Sequence, residues 1–133
     1  MKINISLFIS LLGLTACTTH LKLSDLTPTE QDSYQNIISN DIDGVLIDEK
    51  RYRVIGDVEG YFCFRNTYKL ERADASELQS LIMKSAQDDL RFKAAMLEAD
   101  AVIGEECFRE GVNWAKSCWA SATCNAKAVK ISP

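Results

Sequence analysis

The sequence predicts a small α+β domain, with one long helix packed on a sheet of about four strands and two disulfides. Two observations predict this class. Strand-like segments flank a long stretch with amphipathic helical periodicity, and four cysteines follow an N-terminal export signal. With 133 residues, 47% of them hydrophobic and 26% charged, the chain is expected to form one folded domain.

Composition also excludes function classes. The net charge is −4 and the sequence pI is about 5.0, so the basic surface that nucleic-acid binding needs is missing. No segment reaches the ~20 consecutive apolar residues that cross a bilayer, which excludes a polytopic membrane protein.

Residues 1–16 are predicted to be a lipoprotein signal peptide. Lys2 precedes the mostly apolar run Ile3–Leu14, and small residues follow before a cleavage point. The junction Leu14-Thr15-Ala16-Cys17 resembles the lipobox of bacterial lipoproteins, which implies cleavage before Cys17 and acylation of that residue. Thr18, where retained lipoproteins commonly carry Asp, then implies sorting to the outer membrane. The alternative is an ordinary cleaved signal in which Cys17 is incidental.

Residues 17–50 are predicted to be an acidic tether, with a short helix as an open alternative for part of it. Thr27 is a candidate N-cap, Pro28 suits the first helical position, and Glu30 completes a capping box. Such a helix would end near Ile38, and the residues from Asn40 to Gly44 are interpreted as a turn. The sequence does not choose between helix and flexible tether.

Residues 51–133 are predicted to form the folded domain, and its sheet begins directly. Tyr52–Val58 has the composition of a strand that ends near Glu59-Gly60. Tyr61–Phe64 either pairs with this strand or continues it beyond the break.

The long helix is expected from about Ala75 to Glu98, with Asp74 as its cap. Its apolar face is expected to bury a regular series of side chains: Leu78, Leu81, Ile82, Met83, Ala86, Leu90, Ala94 and Leu97. The opposite side is interpreted as solvated: Lys84, Asp88, Arg91 and Glu98.

Two further strands are expected after this helix. Ala99–Phe108 is interpreted as a buried strand, and Arg109–Lys116 as a loop that holds Trp114. Because tryptophan is buried on average, Trp114 is expected to be a partly buried packing residue. The final strand is expected within Ser117–Ile131, although its alanines are poor strand formers.

The cysteines after Cys17 predict two disulfides, because an even number in an exported chain favours pairing. They are separated by 43, 10 and 5 intervening residues. No Cys-x-x-Cys pair occurs, and no histidine follows His20, so neither a zinc site nor a redox-active pair is expected. If the last strand is extended, Cys118 and Cys124 lie about 20 Å apart and cannot pair with each other. The spacing leaves two pairings open, in which Cys63 bonds either Cys118 or Cys124 and Cys107 bonds the other.

No catalytic arrangement emerges from the sequence. The folded part has no histidine for a nucleophile–base pair, and no glycine-rich loop leads into a helix. We therefore expect a protein that is not an enzyme and that uses no cofactor.

The segment Ile55–Ile131 resembles the RcsF family, the outer-membrane lipoprotein sensors of the Rcs envelope-stress phosphorelay. The resemblance is carried by these residues: Gly56-Asp57-Val58-Glu59-Gly60, Cys63, Ala94, Leu97, Ala99, Ala101, Val102, Cys107, Cys118, Ala122, Cys124 and Ala128.

This resemblance implies the pairs Cys63–Cys118 and Cys107–Cys124. It also implies a lipid-anchored protein of the outer membrane whose domain lies in the periplasm, with the tether a candidate for surface exposure. The implied partners are outer-membrane β-barrel proteins and an inner-membrane repressor of the phosphorelay. Signalling would then occur through relocation and protein contact, without chemistry.

Two other functions remain as alternatives at this stage. One is a lipoprotein inhibitor of a periplasmic hydrolase such as lysozyme, with the loop around Trp114 as the inserting element. The other is a structural envelope lipoprotein with no role in signalling.

Overall fold

The computed structural model describes residues 22–42, 51–65 and 74–132. Within these ranges it has two α-helices and three strands: α1 (Pro28–Ile42), β1 (Tyr52–Phe64), α2 (Ala75–Met96), β2 (Ala101–Glu110) and β3 (Ala120–Ile131). The predicted class is confirmed, because one long helix packs on an antiparallel sheet that carries two disulfides. The described sheet has three strands, slightly fewer than the four expected.

The strand count differs because Glu59-Gly60 does not interrupt β1. Gly60 pairs in register with Cys124 and sits directly under α2. A Cβ at this position would lie 2.1 Å from the carbonyl oxygen of Ala86. The glycine therefore allows a close approach of helix and strand rather than forming a turn.

The strands are arranged in the order β1-β3-β2, and β3 is antiparallel to both neighbours. Strands β1 and β2 are consequently parallel to each other, and α2 connects them across the inserted β3, as in a split βαβ unit. This topology leaves both β1 and β2 at the edges of the described sheet.

The core lies between α2 and one face of the sheet. Both layers contribute mostly small buried side chains: Ile82, Ala86, Leu90, Ala94 and Ala95 from α2, and Val58, Phe64, Ala122, Cys124, Ala126 and Ala128 from the sheet. The alanines that make β3 a weak strand by propensity are thus the residues that let the helix approach closely. Packing decides the structure here, not intrinsic preference.

Helix α2 begins where the sequence predicts. The Asp74 carboxylate accepts a hydrogen bond of 3.0 Å from the Ser76 N–H. The helix ends at Met96, two residues before the expected Glu98, because Glu98 has a left-handed backbone with φ of 56°. The Ala99 N–H then donates to the Ala94 carbonyl at 3.2 Å, which closes the helix end.

The expectation of a buried second strand is wrong for most of β2. Only Ala101 is buried in this strand, and its second half is largely exposed. The reason is that α2 packs mainly over β1 and β3 and contacts β2 only slightly. A single sequence does not reveal which strands the helix will cover.

Of the alternatives left open for residues 17–50, the described part forms a helix that packs on the domain. The predicted capping box is present, with the Thr27 N–H donating to Glu30 at 2.6 Å. Helix α1 extends past the expected end near Ile38, so that residues 40–42 of the expected turn are helical. Ile37 is 1% exposed, and the Tyr34 ring stacks on Phe92 of α2 with centroids 4.6 Å apart.

The predicted signal peptide, residues 1–16, and Cys17 lie outside the described residues, as do residues 43–50. Neither α1 nor α2 has a stretch long and apolar enough to cross a membrane, within the part of the chain described.

Candidate functional site

The four cysteines of the domain form two disulfides. Cys63 bonds Cys118, with Cα atoms 5.5 Å apart, and Cys107 bonds Cys124, with Cα atoms 4.0 Å apart. This is one of the two pairings that spacing left open, and it is the one that the family resemblance implies.

The Cys107–Cys124 disulfide belongs to the core. Cys124 is fully buried, and the carboxylate of Glu105 lies nearby, so that ligand atoms of these three residues are within 4.8 Å of one another. Both sulfurs are bonded to each other, however, and the Glu105 carboxylate accepts a hydrogen bond of 2.7 Å from Gln87. This cluster is therefore a part of the core crosslinked by a disulfide, and its ligand atoms already have bonding partners.

The Cys63–Cys118 disulfide holds the connection between β2 and β3, residues 111–119, which we call the aromatic tip. Asn113 and Cys118 form an antiparallel bridge through backbone hydrogen bonds of 2.8 and 2.9 Å. The Trp119 N–H donates to the Phe64 carbonyl at 2.9 Å, which ties the end of the tip to β1. The disulfide and the Trp119 hydrogen bond thus fix the C-terminal end of the tip to β1, and the bridge holds Asn113 against that end.

A short 3₁₀ turn, Trp114–Lys116, forms the outer part of the aromatic tip. Its N-cap is Asn113, whose side-chain oxygen accepts a hydrogen bond of 3.1 Å from the Lys116 N–H. Ser117 closes the turn with a left-handed backbone, φ 54° and ψ 40°. The position of the turn is therefore set by local bonds.

Trp114 projects from this turn into solvent with 74% of its surface exposed, so the expectation of partial burial is wrong. Its ring meets Trp119 edge to face, with centroids 5.1 Å apart and planes at 75°. Val112 beside it is 49% exposed. A large aromatic side chain on a turn with a fixed backbone is well suited to protein contact, because little backbone entropy remains to be lost on binding.

Tyr61 of β1 lies under the aromatic tip and connects it to the sheet. Its hydroxyl lies 3.2 Å from Cys118 Sγ, and the Lys116 ammonium lies 4.8 Å from the centroid of its ring. The sequence offered no signal for this contact, because 57 residues separate Tyr61 from Cys118.

Arg91 is a residue whose role sequence reasoning missed. The interpretation of its helix side as solvated is wrong at this position, because the Arg91 side chain is 12% exposed. It forms ion pairs with Asp41 of α1 and, at 3.6 Å, with Glu105 of β2. The sequence could not show this because α1 covers that side of α2 only in the folded protein.

Asp89 and Lys93 protect the edge of β1. The Asp89 carboxylate accepts a hydrogen bond of 2.9 Å from the Tyr61 N–H, and the Lys93 ammonium donates to the Glu59 carbonyl at 2.8 Å. The two side chains also pair with each other at 2.9 Å. Backbone groups of an edge strand are thus satisfied by helix side chains, which opposes pairing with another chain. Their i, i+4 spacing was the available signal in the sequence.

The contacts that hold α1 shift the pKa values of two of its side chains, Glu30 and Tyr34. The Thr27 backbone N–H, with help from its hydroxyl, lowers the pKa of Glu30. Partial burial against α2 raises the pKa of Tyr34, and the negative charge of Asp88 adds to this, while Arg91 opposes it. The Tyr34 ring therefore packs on Phe92 as a neutral phenol at physiological pH.

Comparison with known proteins gives no functional assignment. No family model matches this chain, and no curated protein matches it. Among solved structures, the chain is similar to a protein of unknown function from the DUF74 family of Pediococcus pentosaceus. The two share 18% sequence identity with a TM-score of 0.49, over 62% of this chain and 87% of the other.

Proposed function

We propose that this protein is an outer-membrane lipoprotein, anchored through Cys17, that senses envelope stress and signals by protein contact to the inner-membrane control of the Rcs phosphorelay. Outer-membrane β-barrel proteins would be its partners before stress. The lipobox-like junction, the two disulfides and the resemblance of Ile55–Ile131 to the RcsF family support this proposal.

The aromatic tip is the observation that carries the proposal of contact signalling. Trp114 is highly exposed, yet the turn that bears it is fixed by a disulfide, a backbone bridge and a side-chain cap. Exposing a tryptophan to water is unfavourable for an isolated domain, since full burial of a large apolar side chain is worth roughly 2 kcal/mol or more. A partner that covers Trp114 would recover this free energy at small entropic cost.

The position of α1 determines how far the domain could reach. Only five residue steps separate Cys17 from Lys22, the first described residue, which limits the anchor to about 17 Å from the folded body. If α1 left α2, the span from Cys17 to Arg51 would cover 34 steps, or at most about 110 Å when fully extended. We infer that contact with a distant partner requires α1 to detach.

Two matched insertions test this dependence on reach. A flexible Gly/Ser segment of about fifteen residues placed before Lys22 adds ~20 Å between anchor and body, even when α1 stays bound. The same segment placed within residues 43–50 adds no reach while α1 is docked. We expect higher basal output of a phosphorelay reporter from the first insertion only. Equal output from both insertions would contradict a limit set by α1.

The contact itself is tested with Trp114→Ala, compared with Leu81→Ala as a control. Leu81 is 51% exposed on α2 and lies outside the aromatic tip. We expect Trp114→Ala to lose most of the reporter response while both disulfides and the amount of exported protein stay normal. A reporter that does not respond to this chain at all, or a native N-terminus without acyl groups, would refute the proposed function.

The exposure of Trp114 also favours a second candidate, a lipoprotein that inhibits a periplasmic hydrolase. An inhibitor commonly inserts a rigid, exposed side chain into the substrate cleft of its target, and the aromatic tip has this form. Potent inhibition of a muramidase by the purified protein, abolished by Trp114→Ala, would favour this candidate over the sensor.

A further inference from the structure

We infer that the side of the sheet away from α2 binds a partner segment that carries Arg or Lys next to apolar side chains. This inference rests on the proposed function, since it names the chemistry of the contact partner. We call the middle of this side the open face, and it consists of Asp57, Glu59, Tyr61, Ile103, Glu106, Phe108, Thr123, Asn125 and Lys127. Both ends of the same side are buried, at Ser121 and at Val129.

The strand register places these side chains in rows across the sheet. Glu59 is paired with Asn125, and Asn125 is paired with Glu106, so that two carboxylates flank one amide. Two residues further along the strands, Thr123 lies between Tyr61 and Phe108 in the same way. An acidic row is therefore followed directly by an aromatic row.

The two carboxylates of the acidic row form no ion pair within the described residues, although Lys127 and Lys116 lie on neighbouring rows. The one lysine of the open face, Lys127, pairs with Asp57 at 2.9 Å, and this hydrogen bond raises the pKa of Lys127. Neither Glu59 nor Glu106 takes part in a side-chain ion pair among those residues, and both are exposed. A cation brought to this row would relieve the repulsion between like charges.

The geometry of the row suits a side chain with a wide cationic group. Glu59 and Glu106 are two strands apart, which corresponds to a Cα separation of roughly 10 Å. A guanidinium above Asn125 would lie within reach of both carboxylates and of the Asn125 amide. The row borders a shallow depression of about 420 Å³, lined also by Asp57, Gly104 and Lys127.

The apolar part of the contact lies next to the acidic row. Phe108 is 55% exposed, and it leads along the chain to Val112 and to Trp114 in the aromatic tip. A segment with a basic residue over Asn125 could therefore place an apolar side chain on Phe108, which lies on the neighbouring strand and about 7 Å further along it.

Charge complementarity favours this occupant over two others. A second copy of the chain has a net charge of −4 and would bring the same carboxylates to the contact. An anionic lipid surface would be repelled by Glu59 and Glu106 in the same way. A basic and apolar segment of a different protein is the occupant that the open face attracts.

Crosslinking of the full lipid-anchored chain in intact cells tests the inference. A photoreactive residue replaces the exposed Asn125 or, as a control, the exposed Gln79 on α2, and the attached peptides are sequenced by mass spectrometry. We expect crosslinks from position 125 to a segment with Arg or Lys within a few residues of an apolar side chain. The yield should fall about fivefold in Glu59→Gln/Glu106→Gln, consistent with the loss of two exposed ion pairs. It should stay unchanged in the matched variant Asp32→Asn/Glu98→Gln.

Several outcomes would overturn the inference. The first is the absence of any crosslink from position 125, and the second is a crosslink to a second copy or to lipid. The others are an attached segment without basic residues and a yield that Glu59→Gln/Glu106→Gln does not change. If position 79 crosslinks a partner while position 125 does not, the open face is refuted and signalling by contact still stands. If the phosphorelay reporter is also indifferent to this chain, the proposed function fails as well.

Discussion

Replacement of Gly60 by alanine tests the closest approach between helix and sheet. A Cβ at Gly60 would lie 2.1 Å from the Ala86 carbonyl oxygen, 2.5 Å from the Leu90 nitrogen and 2.6 Å from the Leu90 Cβ. Two of these atoms belong to the helix backbone, so a change of side-chain rotamer cannot remove the clash. The helix as a whole has to move away from β1.

The expected loss of stability in Gly60→Ala follows from the distance that α2 has to move. Ordinary carbon contacts start near 3.5 Å, so α2 must move by roughly 1 Å or more, and a gap of this size forfeits a large part of the dispersion energy along the interface. Ala86 and Leu90 are fully buried there, and water cannot fill the gap favourably. We expect Gly60→Ala to lower the free energy of unfolding by about 3 kcal/mol, at the upper end of overpacking effects.

Urea unfolding of the disulfide-intact protein, followed by Trp fluorescence, measures this loss. For a folded body of this size, 3 kcal/mol corresponds to a decrease in Tm of roughly 12 to 24 °C.

Two other glycines provide a graded control for Gly60→Ala. Gly111→Ala meets no atom within 4 Å and should change stability by less than about 0.5 kcal/mol. Gly56→Ala meets only the end of the Leu97 side chain, at 3.2 Å, and should cost less than about 1 kcal/mol because that half-exposed side chain can rotate. If Gly60→Ala were as stable as Gly111→Ala, the inferred approach of α2 to β1 would be refuted.

Three further predictions concern the disulfides, the α1 cap and the end of α2. Replacing Cys63 and Cys118 by serine should lower the free energy of unfolding by about 4 kcal/mol, and replacing Cys107 and Cys124 should lower it by about 3 kcal/mol. The difference is expected because the bonded cysteines are 55 and 17 residues apart in sequence. The reverse order in urea unfolding would contradict the loop-entropy explanation. The pKa of Glu30 is lowered in the folded state from its ordinary value of 4.5, so its cap stabilises α1 above that pH and is lost as the pH falls through the folded pKa. Hydrogen exchange should therefore show α1 losing protection in acid, and Glu30→Gln should flatten this dependence while Asp74→Asn, at the cap of α2, leaves it intact. Because Glu98 has a left-handed backbone, Glu98→Gly should raise the free energy of unfolding by up to about 1 kcal/mol, and a loss of stability would argue against this helix end.

Local sequence patterns predicted the elements that depend on neighbouring residues. The Thr27-Pro28-Thr29-Glu30 cap of α1 and the Asp74 cap of α2 both depend on hydrogen bonds that span only a few residues. The length of α2 was predicted to within two residues, because its apolar periodicity is long. The pairing of Cys118 with Cys124 was correctly excluded, since an extended strand separates them.

Features that depend on distant residues could not be predicted in the same way. Arg91 was expected in solvent because nothing in its own helix indicates that α1 covers it. Trp114 was expected to be partly buried because burial is the average behaviour of tryptophan, whereas a disulfide and a backbone bridge hold it outward.

The sequence by itself determined the class of the domain, the identity of its long helix and the presence of paired cysteines, because these follow from periodicity, capping and composition. Tertiary structure alone decided that β3 lies in the centre of the sheet, that α1 belongs to the folded body, and that acidic and aromatic rows share the open face. The physical reason is that each of these features depends on contacts between residues far apart in the chain, whose free energies appear only when α2 and the three strands pack together.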